Sequence, residues 1–198
     1  MTSSRTYELR QRAERQRETR RRIVEAAVDL HTTMGPSRTS VKAIAERAGV
    51  TRPTVYAHFP DERALFQACS GHVGETVPPP EASAWAAIAD PGERLETALG
   101  ELYAYYERLE TLFTHVERDA LTMPVVAELN DQRLEYLDEV RELLLAGWGA
   151  RGRAKARVRA TIGHTLEFGT WQSLVRRQGC RQSEAVELMS AFVAAAAP

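Results

Sequence analysis

Apolar residues recur at intervals of three and four positions over most of this chain, the spacing that lines one face of an α-helix. Four of them follow Ser40 at that spacing: Val41, Ile44, Ala45 and Ala48. Ser40 is a favourable helix N-cap, and Gly49 stands where a helix commonly ends in a left-handed residue. The pattern therefore predicts a short helix between Ser40 and Gly49, with Lys42 on its solvent-exposed face.

A second helix is predicted to begin two residues after that glycine. Thr51 is an N-cap candidate, and Pro53 falls in the first turn, where an N–H has no intrahelical partner to lose. A turn this short makes the two helices cross steeply. Val55 is expected to pack inward, whereas Thr51, Arg52 and Thr54 are exposed polar residues that can meet phosphate oxygens or base edges.

The residues around these two helices help to distinguish a DNA-binding hairpin from an ordinary structural one. Aromatic residues close the second helix, Pro60 blocks its continuation, and Asp61 caps a further helix. An amphipathic helix is predicted upstream, over residues 22–34. A helical hairpin by itself is also compatible with an ordinary all-α domain. The flanking elements favour a DNA-binding helix-turn-helix.

Residues 19–72 resemble the DNA-binding domain of the tetracycline-repressor (TetR) family of transcriptional regulators. The matching residues are Ile23 to Ala27, Gly35, Thr39-Ser40-Val41, Ile44-Ala45, Ala48-Gly49-Val50, Thr54-Val55-Tyr56, His58-Phe59 and Leu65. The resemblance implies a homodimer and an all-helical second domain with a small-molecule pocket. It also implies an unidentified effector that controls release of double-stranded operator DNA.

The resemblance places the second helix against DNA. The predicted DNA-binding residues are Thr39, Lys42, Thr51, Arg52, Thr54, Tyr56, His58 and Arg63. Members of the family usually have Lys followed by Glu at the start of the next helix, and this Lys helps to hold a phosphate. Here the order is Glu62-Arg63, so either the contact is lost or Arg63 takes it over.

Charge is distributed unevenly along the chain. Residues 1–73 hold 13 Lys and Arg against 8 Asp and Glu, and the rest of the chain holds 13 against 19. Eight arginines lie between residues 5 and 22, with few apolar residues to bury. Residues 1–18 are therefore predicted to be a flexible Arg-rich arm. It is either a solvated extension or, beside a helix-turn-helix, a segment that reaches phosphates or the minor groove.

The sequence contains few strand-like runs, which predicts an all-α protein. We expect this protein to have two domains. The three prolines of GETVPPP, residues 74–80, mark a boundary. A three-helix DNA-binding domain is predicted over residues 19–73 and a helical ligand-binding and dimerisation domain over 81–198. Helical segments of this second domain are expected at 85–89, 91–107, 111–120, from 124 to the Gly147-Trp148-Gly149 stop, at 153–178 and at 183–197. Cys69 and Cys180 are expected to be buried thiols rather than a disulfide.

The last two predicted helices carry broad apolar faces, which either form the homodimer interface or belong to the core of the protomer. These faces contain Ile162, Leu166, Gly169, Trp171, Leu174, Val186, Met189, Phe192 and Val193. Pairs of helices in the TetR family resemble half of an intermolecular four-helix bundle, which implies that both uses coexist.

Candidate ligand contacts are aromatic residues with a few polar groups among them. They are Tyr103, Tyr106, Phe113, His115, Met123, Trp148, His164, Glu167, Phe168 and Trp171. Taken singly, each aromatic residue is more often a core residue than a ligand contact. His164 and Glu167, three positions apart, are either a polar pair in the pocket or a surface pair.

The function predicted from these features is a homodimeric repressor released from its operator by a small apolar or aromatic ligand. The alternative is an architectural protein that binds DNA without sequence preference. His115, Glu117 and Asp119 alternate, but no HExxH motif, phosphate loop or nucleophile elbow is present, so we expect neither catalysis nor a metal or cofactor. The chain contains no signal peptide and no apolar run of membrane length, so a cytoplasmic protein without membrane contact is expected.

Overall fold

The computed structural model describes the backbone of residues 2–198 and the side chains of residues 7–198, and this part of the chain is helical without strands. The chain divides into two compact units. The first runs to Thr76 and includes Thr114–Asn130, and the second comprises Val77–Phe113 and Asp131–Pro198. Both cysteines are free thiols, Cys69 buried and Cys180 half-buried. No helix in the described part combines the length and apolarity needed to cross a membrane.

The first unit contains the first four α-helices of the chain. They are α1 (Thr2–Thr33), α2 (Val41–Ala48), α3 (Arg52–His58) and α4 (Glu62–Thr76), with a 3₁₀ turn at Pro36–Arg38. Its core is a single cluster of apolar side chains contributed by all four helices. The most buried members are Ile23, Ala27, Ile44, Ala45, Val55 and Phe59. Helix α3 packs on this core through Val55, and its opposite side is exposed to solvent.

Helix α1 is longer than the sequence pattern predicts, because the segment predicted as a flexible arm is helical from Thr2 onward. Met1 and the side chain of Arg5 lie outside the described residues. Arg, Glu and Gln are favourable helix formers, and side chains one turn apart interact along this segment. Gln11 donates to the Tyr7 hydroxyl at 2.8 Å, and Arg21 pairs with Glu18 at 2.9 Å. Local interactions thus stabilise the N-terminal segment of α1, whose described side chains are mostly exposed.

The second unit is built from the remaining helices. They are α5 (Ala82–Ala86), α6 (Pro91–Ala120), α7 (Pro124–Leu145), α8 (Gly152–Leu166), α9 (Phe168–Gln172) and α10 (Gln182–Ala196); α6 and α7 also contribute to Thr114–Asn130 of the first unit. Two predictions about these elements are wrong. The segments predicted at 91–107 and 111–120 form one helix, and the helix predicted at 153–178 is broken at Glu167, which is extended.

Two tyrosine hydroxyl groups stabilise the break between α8 and α9. Tyr103 donates to the carbonyl of Thr165 at 2.9 Å, and Tyr106 donates to the carbonyl of Leu166. The carbonyls in the last turn of a helix have no intrahelical partner, so buried hydroxyl donors satisfy them here. A π-helical turn at Ser173–Arg177 follows α9.

Candidate nucleic-acid interface

The turn between α2 and α3 is fixed by residues whose roles the sequence indicates. Ser40 accepts a hydrogen bond from the amide of Ala43 at 3.2 Å and so caps α2. Gly49 has φ 64°, and the following residue, Val50, donates its N–H to the carbonyl of Ala45 at 2.9 Å. This is the hydrogen-bonding pattern of a helix that ends in a left-handed glycine. The predicted caps and the predicted turn are confirmed.

The short helix α3 begins at an equally well-defined cap. The Thr51 hydroxyl accepts a hydrogen bond from the amide of Thr54 at 3.3 Å and lies 2.8 Å from the Thr54 hydroxyl. Val55 and Phe59 are 1% and 2% exposed and anchor the helix on the core. Tyr56 is 51% exposed, and Arg52 is also exposed. The helix therefore presents polar side chains and one phenol ring to solvent on a rigid base.

The other predicted DNA-binding residues lie in the same unit but are engaged differently. Lys42 is exposed and lies 3.8 Å from Glu46, one helical turn away. The Thr39 hydroxyl donates to the carbonyl of Gly35 at 2.9 Å. Arg63 donates to the carboxylate of Glu128 at 2.7 Å, and both side chains are exposed. The guanidinium group predicted to replace the family's phosphate-binding Lys is therefore held by a carboxylate in this structure.

Two arginines just beyond the predicted arm attach α1 to the helix-turn-helix. Arg20 donates to the carbonyl of His58 at 3.3 Å, and its guanidinium carbon lies 4.2 Å from the centre of the Phe59 ring. Arg22 donates to the carbonyl of Ala48 at 3.2 Å. These bonds satisfy carbonyls at the C-terminal ends of α3 and α2. No pattern in the sequence indicates these two hydrogen bonds, because their acceptors are backbone atoms distant in the chain.

A groove with a volume of about 370 Å³ lies between α1 and α3. Four residues of α1 line it, spaced so that they share one face of the helix, together with two residues of α3. The lining residues are Arg12, Arg15, Gln16, Thr19, Thr54 and His58. Two of the predicted DNA-binding residues therefore share a groove with arginines that sequence reasoning did not single out.

The first unit also contains a buried polar cluster that joins residues distant in sequence. The amide of Ser37 donates to the carboxylate of Asp119 at 2.9 Å, and Arg118 donates to the same carboxylate at 2.7 Å. The Arg118 hydrogen bond, with the amide of Ser37, holds the pKa of Asp119 at about 2. Nearby, His31 stacks on Phe66, and burial lowers the pKa of its imidazole to about 4. Half-buried His115 lies against the carbonyl of His31, Nδ1 to O 3.3 Å.

In the second unit, five of the predicted ligand contacts form one buried aromatic cluster, in which the Tyr106 ring contacts the other four. Its members are Tyr103, Tyr106, Phe113, Phe168 and Trp171. Trp171 is fully buried, and its indole N–H has no hydrogen-bond partner among the described residues. A buried donor of this kind is costly to leave unsatisfied.

The remaining predicted ligand contacts lie elsewhere. His164 and Glu167 are exposed, 3.9 Å apart, and line an open groove of about 390 Å³ between α7 and α8. Trp148 is half-buried and donates to the carbonyl of Leu144, whereas Met123 follows α6 in the first unit. The structure thus separates the ten predicted ligand residues into several groups.

Helix α10 has an apolar stripe that faces away from the core of its unit. Val186 and Val193 are buried, whereas Leu188 is 51% exposed and Phe192 is 45% exposed. Ala191 and Ala195 are also exposed, which extends the stripe at helical spacing. Ile162, Leu166 and Trp171, assigned above to an interface or to the core, belong to the core of the protomer. Leu188 is an exposed apolar residue that the prediction omitted.

A short helix that is exposed on one side and fixed by a left-handed glycine turn defines the helix-turn-helix class of protein. A sequence model of the bacterial regulatory proteins of the tetR family matches residues 23–69. The sequence similarity to the tetR family therefore lies in the helix-turn-helix region of the first unit.

Two curated relatives illustrate the sequence similarity. The HTH-type transcriptional regulator TtgR of Pseudomonas putida is 41% identical over 68 residues, which are 34% of this chain and 32% of TtgR. The HTH-type transcriptional repressor BepR of Brucella suis is 31% identical over 134 residues, 65% of this chain and 63% of BepR. The similarity therefore spans about a third of TtgR and under two thirds of BepR.

Solved structures resemble the chain over nearly its whole length. A transcriptional regulator from Rhodococcus sp. Rha1 has a TM-score of 0.61 and 21% identity, covering 90% of this chain and 97% of that chain. The SmeT–triclosan complex has a TM-score of 0.65 and 21% identity, covering 90% of each chain. At this level of identity the likeness establishes the fold: an all-α chain with an N-terminal helix-turn-helix domain and a helical C-terminal domain.

Proposed function

We propose that the protein is a homodimeric transcriptional repressor that binds a palindromic operator through α3. The observation that carries this proposal is the exposed polar side of α3, from which Arg52, Thr54 and Tyr56 project, on a helix anchored by Val55 and Phe59. A helix held in this way can enter the major groove and present side chains to base edges. The names of TtgR and BepR as regulator and repressor support the same role. We propose no catalytic activity.

Substitution of Arg52 tests whether α3 reads bases. The operator is taken as the duplex that the wild-type protein enriches from a pool of random duplexes. Arg52→Ala is expected to weaken operator binding about tenfold or more and binding to random DNA much less, because base contacts specify and phosphate contacts only position. Arg108→Ala, an exposed arginine of α6, is the control and should change neither. Equal weakening of both kinds of binding by Arg52→Ala would mean that α3 does not read bases.

The proposed dimer uses the exposed stripe of α10 together with α8. The stripe offers Leu188 and Phe192 with small residues between them, and the exposed side of α8 carries Ala156, Ala160 and half-buried Gly163. Small residues allow helices of two protomers to approach closely, as in a four-helix bundle. Two recognition helices about 34–36 Å apart would then match half-sites separated by one turn of DNA.

The proposed effector is a small apolar or aromatic molecule that binds the second unit. The aromatic cluster and the unpaired indole N–H of Trp171 support this chemistry, since an apolar ligand with one acceptor would satisfy that donor. The rings contact each other, so a ligand would enter by parting them. Ligand binding would change the separation of the two recognition helices and so weaken operator binding.

Triclosan, the ligand in the SmeT complex, is a suitable first probe. If it occupies the cluster, it should raise the unfolding temperature and release the operator, and Trp171→Phe should reduce both effects because the N–H is lost while a ring is kept. Release that Trp171→Phe leaves unchanged would exclude the cluster as the site. Stabilisation without release would mean that the probe is a ligand but not an effector.

A further inference from the structure

The N-terminal part of α1 has two sides with different surroundings. Arg12, Arg15, Gln16 and Thr19 follow the spacing of one helix face and line the groove shared with α3. Arg10 and Arg17 are seven residues apart, which places them on one face, and helix geometry turns that face well away from the groove. Arg17 donates to Ala13 within its own helix at 3.4 Å. The helix therefore holds Arg12 and Arg15 on one face and Arg10 and Arg17 on another. A flexible arm would not keep these arginines on separate faces.

The groove between α1 and α3 carries the chemistry of a phosphate-binding surface. Its lining offers two guanidinium groups, hydroxyl groups, an amide and an imidazole, and no carboxylate lines it. Arg12 has no hydrogen bond or ion pair with another described residue, and Arg15 makes only a long bond of 3.4 Å to Gln11. Both guanidinium groups are exposed and can bind anionic oxygens at little cost in lost internal contacts.

The groove is also held in a fixed position relative to the recognition helix. Arg20 and Arg22 bind carbonyls at the ends of α3 and α2 and lie one and three residues beyond Thr19 along α1. Thr54 and His58, which line the groove from α3, are on the helix that we propose enters DNA. A phosphate bound in the groove would therefore belong to the same duplex. No Phe, Tyr or Trp lines the groove to stack unpaired bases, which favours a duplex backbone over a single strand.

We propose that the N-terminal part of α1 is a second DNA-contacting element, a rigid helix in which Arg12 and Arg15 bind backbone phosphates of the duplex that α3 enters. This inference rests on the proposed function and adds to it a defined set of phosphate contacts. The phosphate contacts come from one face of a helix rather than from a flexible arm. The contacts position the protein on DNA and add affinity to every sequence alike.

The test compares two double variants that remove the same charge from opposite faces of α1. Arg12→Gln with Arg15→Gln changes the groove face, and Arg10→Gln with Arg17→Gln is the matched control. Gln retains the helix propensity of Arg, and circular dichroism checks that both full-length variants keep their helix content. Anisotropy titrations with labelled operator and with random duplex, each at several salt concentrations, give affinities and salt slopes.

The groove variant is expected to weaken binding to both duplexes about tenfold or more. The slope of log affinity against log salt should become shallower by about 1.8, because each lost phosphate contact removes about 0.9. The control variant should keep the wild-type slope. Equal losses of affinity in the two variants would mean that positive charge on either face of α1 has the same effect, and this would overturn the proposal. Unchanged affinity in the groove variant would also overturn it.

Two further outcomes are separated by the same titrations. Weakening of operator binding alone would mean that the groove reads bases, which contradicts phosphate binding. If the wild-type protein shows no preference for any duplex, the proposed function fails, yet the groove and control variants still test the α1 contact on random DNA.

Discussion

The phenol ring of Tyr56 is half exposed. It projects from α3 while Phe59, three residues later, is buried. Tyr56→Ala is therefore expected to weaken operator binding about tenfold or more and to leave the unfolding temperature nearly unchanged. Phe59→Ala, as a contrast, should cost about 3–5 kcal/mol of stability. A large fall in unfolding temperature for Tyr56→Ala would show that its ring belongs to the core instead.

The imidazole of His31 makes the stability of the first unit depend on pH. Burial lowers the pKa of His31 from 6.5 to about 4, although the carboxylate of Asp119 acts in the opposite direction. Between these two pH values the unfolded chain binds more protons than the folded protein, so acidification lowers the free energy of unfolding. Once the pH falls below about 4, both states are protonated and the effect is complete.

His31→Phe isolates this contribution because Phe retains a ring to stack on Phe66. We expect wild-type protein to lose roughly 1–2 kcal/mol more than the variant between pH 7 and pH 5, measured by denaturant unfolding. An identical pH dependence in the two proteins would mean that the pKa of His31 is the same in the folded protein as in the unfolded chain.

At the scale of the helices, the start of α4 carries an ion pair that is expected to oppose DNA binding. Arg63 is paired with Glu128, and both side chains are exposed, so the pair contributes little to stability. Glu128→Gln is expected to free Arg63, to tighten binding to operator and random DNA alike, and to steepen the salt slope by about 0.9. Arg63→Gln should abolish this gain when added to Glu128→Gln. Unchanged affinity in Glu128→Gln would show that the start of α4 does not approach DNA.

Helix boundaries that depend on neighbouring residues could be predicted from the sequence. Ser40, Gly49, Thr51 and Asp61 act as predicted, because a cap is made within three or four residues of the chain. The break at Glu167 could not be predicted, since hydroxyl groups from α6 stabilise it. Favourable helix formers at 108–110 were taken for a boundary and are the middle of a helix.

At the candidate sites, too, features set by neighbouring residues could be predicted, whereas features set by packing between distant segments could not. The residues on α3 could be predicted because they belong to one short helix with a clear inward face. The groove with Arg12 and Arg15 could not, because it requires α1 to be helical and to lie beside α3. The exposed position of Leu188 depends likewise on how α10 packs.

The whole molecule is proposed to act as a dimer, and the outward stripe of α10 is the place to test this. Leu188→Glu introduces a charge into the stripe and is expected to yield monomers with weakened operator binding, measured by light scattering and anisotropy. Leu121→Glu makes the same change at a leucine that is 85% exposed in the first unit, and it should remain dimeric. A wild-type protein of monomeric mass at micromolar concentration would contradict the proposed dimer.

Sequence-specific binding to DNA is the central claim, and a competition titration of the wild-type protein tests it most directly. Labelled operator is titrated with protein at physiological salt in the presence of a large excess of random duplex, and anisotropy reports the bound fraction. The account predicts half-saturation at about 10⁻⁸ M or below that survives the competitor. Displacement of the operator in proportion to the added random duplex would contradict the account and would identify an architectural protein that binds DNA without sequence preference.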